Sequence, residues 1–364
     1  MAENKYEIVK KGVQEMIEQG NFNIGDKLPT ESELMERYQV SRYTVRRAIG
    51  DLQNAHYVYR IQGGGMYVDD WQESKSQLTI NNKMIGVVTT HLADYIFPSI
   101  ISGIDRAISA QGYSLIVSNT HNNREKERQS LQQMIDNKVA GLIIEPTQSA
   151  LPGPNIDLYQ KIQEAGIPMI FINAHYPEIE APYLEVNDTA AEQAVVNHLI
   201  KLGHQRILGI FQVDDMQGTN RLKGFINAYM SHPEISYLSK TVMYQSGQDM
   251  TKVFEQVSKI MDTPDRPTAV VCYNDELAIQ IMDVIRSLDL AIPSDVSIVG
   301  FDDFVLTRYL DPELATVEHP KEKMGLDAGK MIVSLVKGED VSSIKYDLDL
   351  KLTTNGSVSK LKAD

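Results

Sequence analysis

The period of the apolar positions changes along this chain, and the changes divide it. In residues 6–17 the apolar side chains Ile8, Val9, Val13, Met16 and Ile17 recur at helical spacing. Leu34, Met35 and Tyr38 give a second, short apolar face. Val45, Ala48, Ile49 and Leu52 fall at i, i+3, i+4 and i+7 of a third helix. Thr30 followed three residues later by Glu33 has the spacing of a capping box, and Ser41 can cap the third helix. Gln39-Val40 between them is long enough only for a turn. Residues 57–61 and 66–68 read as two short strands around the glycine turn Gln62-Gly63-Gly64-Gly65.

Residues 69–82 carry no apolar period and read as a linker. Beyond them the pattern is different. Apolar runs of strand length at 84–90, 114–118, 141–145, 168–173, 206–211, 269–273 and 296–301 alternate with helical segments at 100–111, 126–137, 159–165, 189–202, 218–230, 251–261 and 276–288. Strands apolar on both faces that alternate with helices predict parallel sheets. About ten strands exceed one comfortable domain, so two doubly wound lobes are expected. The predicted fold class is α/β: a small helical domain with a β-hairpin at 1–70, a linker at 71–82, and a two-lobed domain at 83–364. The first lobe is placed at 83–178 and 306–340, the second at 179–305 and 341–360.

Two short helices joined by a tight turn, the second basic at its start, suit insertion into a DNA major groove. Arg42, Tyr43, Arg46 and Arg47 lie off the buried stripe of the third helix, and the glycine tip lets backbone approach a phosphate. The alternative is an ordinary helical hairpin packed on a β-hairpin. The strings PTESELMERYQVSRYTVRRAIGDL and QGGGMYV resemble the winged helix-turn-helix domain of GntR-type regulators. That resemblance implies DNA contacts from Glu31, Arg42, Arg46 and Gln62, and a phosphate contact from Lys5. With Tyr43, Thr44, Arg47 and Gly64, these residues make up the expected DNA-binding set.

Net charge complicates this picture. The chain carries −14, and residues 1–72 hold nine Lys+Arg against eleven Asp+Glu. The asymmetry that matters is local: Arg42, Arg46, Arg47 and Arg60 face only Asp51 between positions 42 and 60. Weak non-specific binding is expected, with recognition concentrated on a few side chains.

Catalytic motifs are missing. The strand at 84–90 is followed by HLADYIFPSI, without the glycines of a dinucleotide site, and no P-loop, G-x-S-x-G or H-E-x-x-H occurs. The histidines are scattered without ligand spacing, and Cys272 is the single cysteine. No cofactor and no metal is expected. No run approaches the roughly 18 apolar residues of a membrane span, and the N-terminal residues lack the apolar core of an export signal. A cytoplasmic protein without a membrane partner is expected.

The loops that follow the strands are polar and aromatic. Tyr95 and Phe97 follow the first; Glu145, Asn173, Asn274 and Asp302 end or follow others; Arg221 comes just after DDMQGTN. In open α/β sheets ligands bind outside the carboxyl ends of strands. A sugar there needs carboxylates and amides for its hydroxyls, an arginine fork to donate, and a ring to cover its C–H face. Singly, each residue also reads as a loop cap or Asx-turn. The segment 85–103, CYNDELA, IPSDVSIVGFDD and the HP-K-MG stretch from His319 resemble the effector core of LacI/GalR regulators and periplasmic sugar receptors, a periplasmic-binding-protein type I-like fold. Behind a GntR-type winged helix, IGVVTTHLADYIFPSIISGI, GLIIEPTQSALPGPNI and FQVDDMQG resemble the bacterial repressors of arabinose operons.

This likeness implies a repressor whose partners are operator DNA and a sugar effector, L-arabinose first. Arg221, Asn274 and Asp302 fall on hydroxyl-holding positions of the motif, and Asn173 where LacI-type proteins often have an acid. The expected ligand-binding set is Tyr95, Phe97, Glu145, Asn173, Arg221, Asn274, Asp302 and His319. Two features depart from the families. The linker lacks a leucine-rich hinge helix, and the helical effector domain usual in GntR proteins is missing. A homodimer is expected, with Ile100, Ile101, Ile104, Ala107 and Ile108 either forming its contact or packing on their own sheet. The alternatives are a sugar-converting enzyme with an appended DNA-binding domain, a repressor of another sugar, and a transport receptor, the last disfavoured by the missing export signal.

Overall fold

The computed structural model describes residues 5–19, 22–54, 57–61, 64–69, 83–92, 95–153, 155–348 and 356–361. The expected linker at 71–82 and Gln62 lie outside the described residues. The chain forms two compact units, divided between Asn82 and Lys83.

The first unit holds α1 (Lys5–Glu18), α2 (Glu31–Tyr38), α3 (Arg42–Asn54), β1 (Val58–Ile61) and β2 (Gly65–Val68). The Thr30 hydroxyl accepts the Glu33 N–H while the Glu33 carboxylate takes the Thr30 N–H, a reciprocal cap that starts α2. The Thr30 backbone and side-chain bonds hold the Glu33 carboxyl below its usual range. Gln39 ends the helix in left-handed conformation, and the Ser41 hydroxyl accepts the Thr44 N–H to open α3. The core is the apolar stripe the sequence predicts: Val9, Val13, Leu34, Val45, Ala48, Ile49 and Leu52, closed by Val58, Met66 and Val68 of the antiparallel hairpin.

The second unit contains two parallel sheets. The first lobe's sheet has the order β12-β7-β6-β5-β3-β4, from β3 (Met84–Thr89), β4 (Ser114–Asn119), β5 (Gly141–Ile144), β6 (Met169–Ile172), β7 (Tyr183–Val186) and β12 (Ile344–Tyr346). The second lobe's order is β11-β10-β8-β9, from β8 (Ile207–Gln212), β9 (Lys240–Tyr244), β10 (Ala269–Cys272) and β11 (Ser297–Val299). The helices α4 (Phe97–Ser109), α5 (Arg124–Asp136), α6 (Ile156–Glu164), α7 (Asp188–Lys201), α8 (Met216–Met230), α9 (Met250–Met261), α10 (Asp275–Ser287) and α11 (Lys321–Val336) complete it. No helix among the described residues is long and apolar enough to cross a membrane.

The lobe boundaries differ from those drawn on the sequence. β7 and β12 pair in parallel with each other inside the first lobe's sheet, so 179–187 and 341–348 belong there and not to the second lobe. Ala315 bridges to Val299, and Leu314, Ala315 and Val317 fill the second lobe's cores, so 306–317 belongs with that lobe. The chain thus leaves the first lobe after β7, builds the second, and returns to finish the first with α11 and β12. The sequence reading missed β7, β9, α11 and β12. In α11 the buried face is partly Gly325, Ala328 and Gly329, which an apolar count undervalues. Glycines on both helices let α11 lie directly on α4: a methyl on Gly325 would strike the Ile100 carbonyl at 2.1 Å, and one on Gly103 of α4 the Glu322 carbonyl at 2.6 Å. Ile100, Ile104 and Ile108 are accordingly buried within their own lobe, the second of the two placements open to that helix.

Candidate functional site

On the winged helix, α2 and α3 bring Glu31 and the arginines together. Arg46 Nε donates to both Glu31 oxygens at 3.0 and 3.2 Å, Arg60 Nη2 from β1 at 3.2 Å, and Arg42 Nε lies 3.8 Å away. Arg42 and Arg46 remain mostly exposed beyond this carboxylate, as does Tyr43. Lys5 is exposed at the start of α1. Thr44 and Arg47 also have partners inside the domain: the Thr44 hydroxyl pairs with Ser41, and the Arg47 guanidinium lies 4.8 Å over the Tyr6 ring. At the wing, the Gly64 carbonyl accepts the Tyr67 hydroxyl. Arg60, absent from the expected set, joins it through Glu31. Its signal was a lone arginine on a short strand that is buried only at Val58.

All eight residues of the expected ligand set line one cavity of about 320 Å³ in the second unit, at the small end of the range usual for small-molecule sites, roughly 300–1,000 Å³. It lies where strands β3, β5, β6, β8, β10 and β11 end, the position expected for a ligand of open parallel sheets. Its centre is Arg221 on α8, buried, with its guanidinium over the Phe301 ring at 3.6 Å. Nε donates to Asp188 at 2.8 Å, Nη2 to Asp302 at 3.1 Å and Nη1 to the Tyr273 carbonyl at 2.5 Å. Burial opposes the charge of Arg221, but Asp302 and Asp188 outweigh it and hold the guanidinium still higher than usual. Burial pushes Asp188 up to about 6 in spite of Arg221.

Glu145 is committed to its own lobe. One oxygen accepts the Thr89 and Thr90 hydroxyls and the Thr90 N–H, and the other accepts Asn173 Nδ2 at 2.8 Å. A carboxylate needs a donor, so this bond fixes the Asn173 amide and leaves its Oδ1 buried without a partner. His319 Nδ1 is likewise buried and unpartnered; burial lowers this imidazole to about 4, so it is neutral. Asn274, in the cavity wall, caps α10 through Oδ1 to the Leu277 N–H. Phe97 opens α4 beneath the His91 ring at 5.4 Å. The Tyr95 hydroxyl is bonded to Asp302 at 2.7 Å.

Residues 5–68 match the family model for bacterial regulatory proteins of the gntR family, and residues 196–358 match a periplasmic binding protein-like domain. The chain is 40% identical over 339 residues to the arabinose metabolism transcriptional repressor of Halalkalibacterium halodurans, covering 93% of this chain and 90% of the relative. It is 39% identical to the protein of the same name from Geobacillus stearothermophilus, covering 93% of each. This chain belongs to the arabinose metabolism transcriptional repressor family. In fold it is similar to a LacI family regulator from Enterococcus faecium solved with bound ribose (TM-score 0.65, 20% identity, 77% of this chain and all of that one). A regulator from Alkaliphilus metalliredigens complexed with D-xylulofuranose gives a TM-score of 0.64 at 22% identity, over 76% of this chain and 99% of that one.

For a member of this family the cavity holds more than the sequence pointed to. Asp188, in the first turn of α7 behind the Asn187 cap, stands outside the expected set and yet holds Arg221. Asp215 caps α8 through the Gly218 N–H and also accepts the Tyr273 hydroxyl at 2.6 Å and Gln212 Nε2 at 2.8 Å; burial pushes it up to about 7. The signal was present in FQVDDMQG, where two acids precede a helix, but only the fold shows which one faces the cavity. Asp214 turns instead to Ser246 on the loop after β9.

Proposed function

We propose that this protein, a transcriptional repressor of the arabinose metabolism family, grips operator DNA as a homodimer through Arg42, Arg46 and the wing, and that L-arabinose seated around Arg221 releases it. The observation that carries the sugar reading is the pair of buried, unpartnered atoms in the cavity wall, Asn173 Oδ1 and His319 Nδ1, beside the Asp188–Arg221–Asp302 set. Buried polar atoms are nearly always paired. A polyol supplies hydroxyls that donate and accept at such atoms, over aromatic rings that suit its C–H faces.

The dimer reading turns to the 3₁₀ turn Val305–Tyr309, where Val305, Leu306 and Tyr309 are 60%, 49% and 80% exposed. That turn begins three residues after Asp302 and follows Phe304, whose ring packs on Tyr95 at 5.0 Å. A second copy seated there would feel a change at the sugar site through one short stretch of chain. The sugar weakens operator binding only by the difference in its affinity for the two arrangements.

Calorimetry with a panel of neutral pentoses and hexoses, followed by operator titration with and without each binder, tests the reading. L-arabinose is expected to bind and to release the operator. Binding without release, or release by another sugar alone, overturns the assignment of effector.

A further inference from the structure

The loop that follows β5 is held from inside its own lobe. Glu127 of α5, fully buried, accepts the Thr147 N–H at 3.0 Å, Asn155 Nδ2 at 2.7 Å and the Tyr159 hydroxyl at 3.0 Å. The Thr147 hydroxyl pairs with that of Thr120, and the Thr147 carbonyl accepts the Tyr176 hydroxyl at 2.8 Å. Gln148 sits at φ +47, a left-handed conformation uncommon away from glycine, and Asn122 Oδ1 takes its N–H at 2.9 Å. All of these partners belong to the first lobe, so Ser149 and Ala150 are presented in place.

What they meet is the second lobe. Ser149 Oγ accepts the Met216 N–H at 2.9 Å, and the Ala150 N–H donates to the Asp214 carbonyl at 3.2 Å. Met216 opens α8, the helix that carries Arg221. The first amides of a helix have no partner within it. Asp215 takes that of Gly218, and Ser149 reaches across the cleft for that of Met216. Ser149 is buried, yet it is not among the residues that line the cavity. We propose that Ser149 is a positioning residue for the sugar: it caps the Arg221 helix from the opposite lobe, and this bond helps to hold the cleft shut on a ligand that it never touches. The proposal rests on the sugar reading of the cavity. Because the loop is fixed in advance, closure does not have to order it. Tyr95 and Lys321 join the lobes on a different loop, at Asp302 and Asp303, so those ties remain when Ser149 is changed.

Ser149→Ala removes the hydroxyl alone. One helix amide then lacks its acceptor in the closed cleft, and L-arabinose is expected to bind about tenfold more weakly. The loss should lie in the dissociation rate, with the association rate and the unfolding temperature of the free protein unchanged. Ser149→Thr, which keeps the hydroxyl, should restore the affinity. Amide exchange at Met216 should be faster in Ser149→Ala than in the wild type. Wild-type affinity in Ser149→Ala, or a loss that comes with equal destabilisation of the free protein, overturns the proposal and makes Ser149 a static contact. If the wild type binds none of the sugars, the sugar reading fails by itself. Amide exchange then decides the cross-lobe cap alone, and equal rates at Met216 in the two proteins reject it.

Discussion

Arg221→Ala separates a ligand hook from a structural cation. The guanidinium lies between Asp188 and Asp302, whose side chains are 2% and 6% exposed. Removing one partner of a buried ion pair costs about 3–5 kcal/mol, and here one cation serves two carboxylates. The loss need not double, because burial already lifts Asp188 to about 6 and without the arginine it can stay protonated. A carboxyl whose folded pKa is raised gives stability that is full below its unfolded value and lost as pH rises through the folded one. The deficit of the variant should therefore be smallest near about pH 5 and reach about 3–5 kcal/mol by about pH 8, a large part of the 5–15 kcal/mol typical of a domain. Urea unfolding followed by circular dichroism at both pH values measures it, with arabinose calorimetry beside it. A variant that lost sugar binding with wild-type stability at both pH values would refute the reasoning, because the two carboxylates would then not depend on Arg221.

Two further outcomes follow from the other surfaces. Arg46→Ala should cost about 1–3 kcal/mol at the cognate operator and relax its base preference, whereas Glu31→Gln, which removes the carboxylate shared by Arg42, Arg46 and Arg60, should strengthen non-specific binding and steepen its salt slope; equal losses on operator and random DNA for Arg46→Ala would count against base reading. Leu306→Asp, on the exposed turn, should give monomers by sedimentation that still bind sugar but hold operator weakly, and persisting dimers would remove that turn from the interface.

The first unit could be read because its signals are local. A capping box, a basic helix start and a glycine turn each act within a few residues, and the packed core uses the same apolar stripes. In the second unit the strand ends also announced themselves, since acids and amides after apolar runs have few other uses. Partnership was not legible. Nothing near Glu145 in the chain shows that Thr89, Thr90 and Asn173 take up its oxygens, and nothing near Tyr95 points to Asp302, some 200 positions away. The lobe boundaries failed for the same reason. Short β7 and β12 find each other across nearly half the chain, and α11 hides its buried face in glycines.

The return of the chain to the first lobe sets an order of events during synthesis. The winged helix is complete once Val68 has left the ribosome, whereas the first lobe cannot close until α11 arrives, about 270 residues later. At about 5–20 residues per second that interval is roughly 15–50 s. A nascent chain can therefore carry a finished DNA-binding head with no working sensor behind it. Any premature stop before residue 321 would leave a head that no sugar can call off.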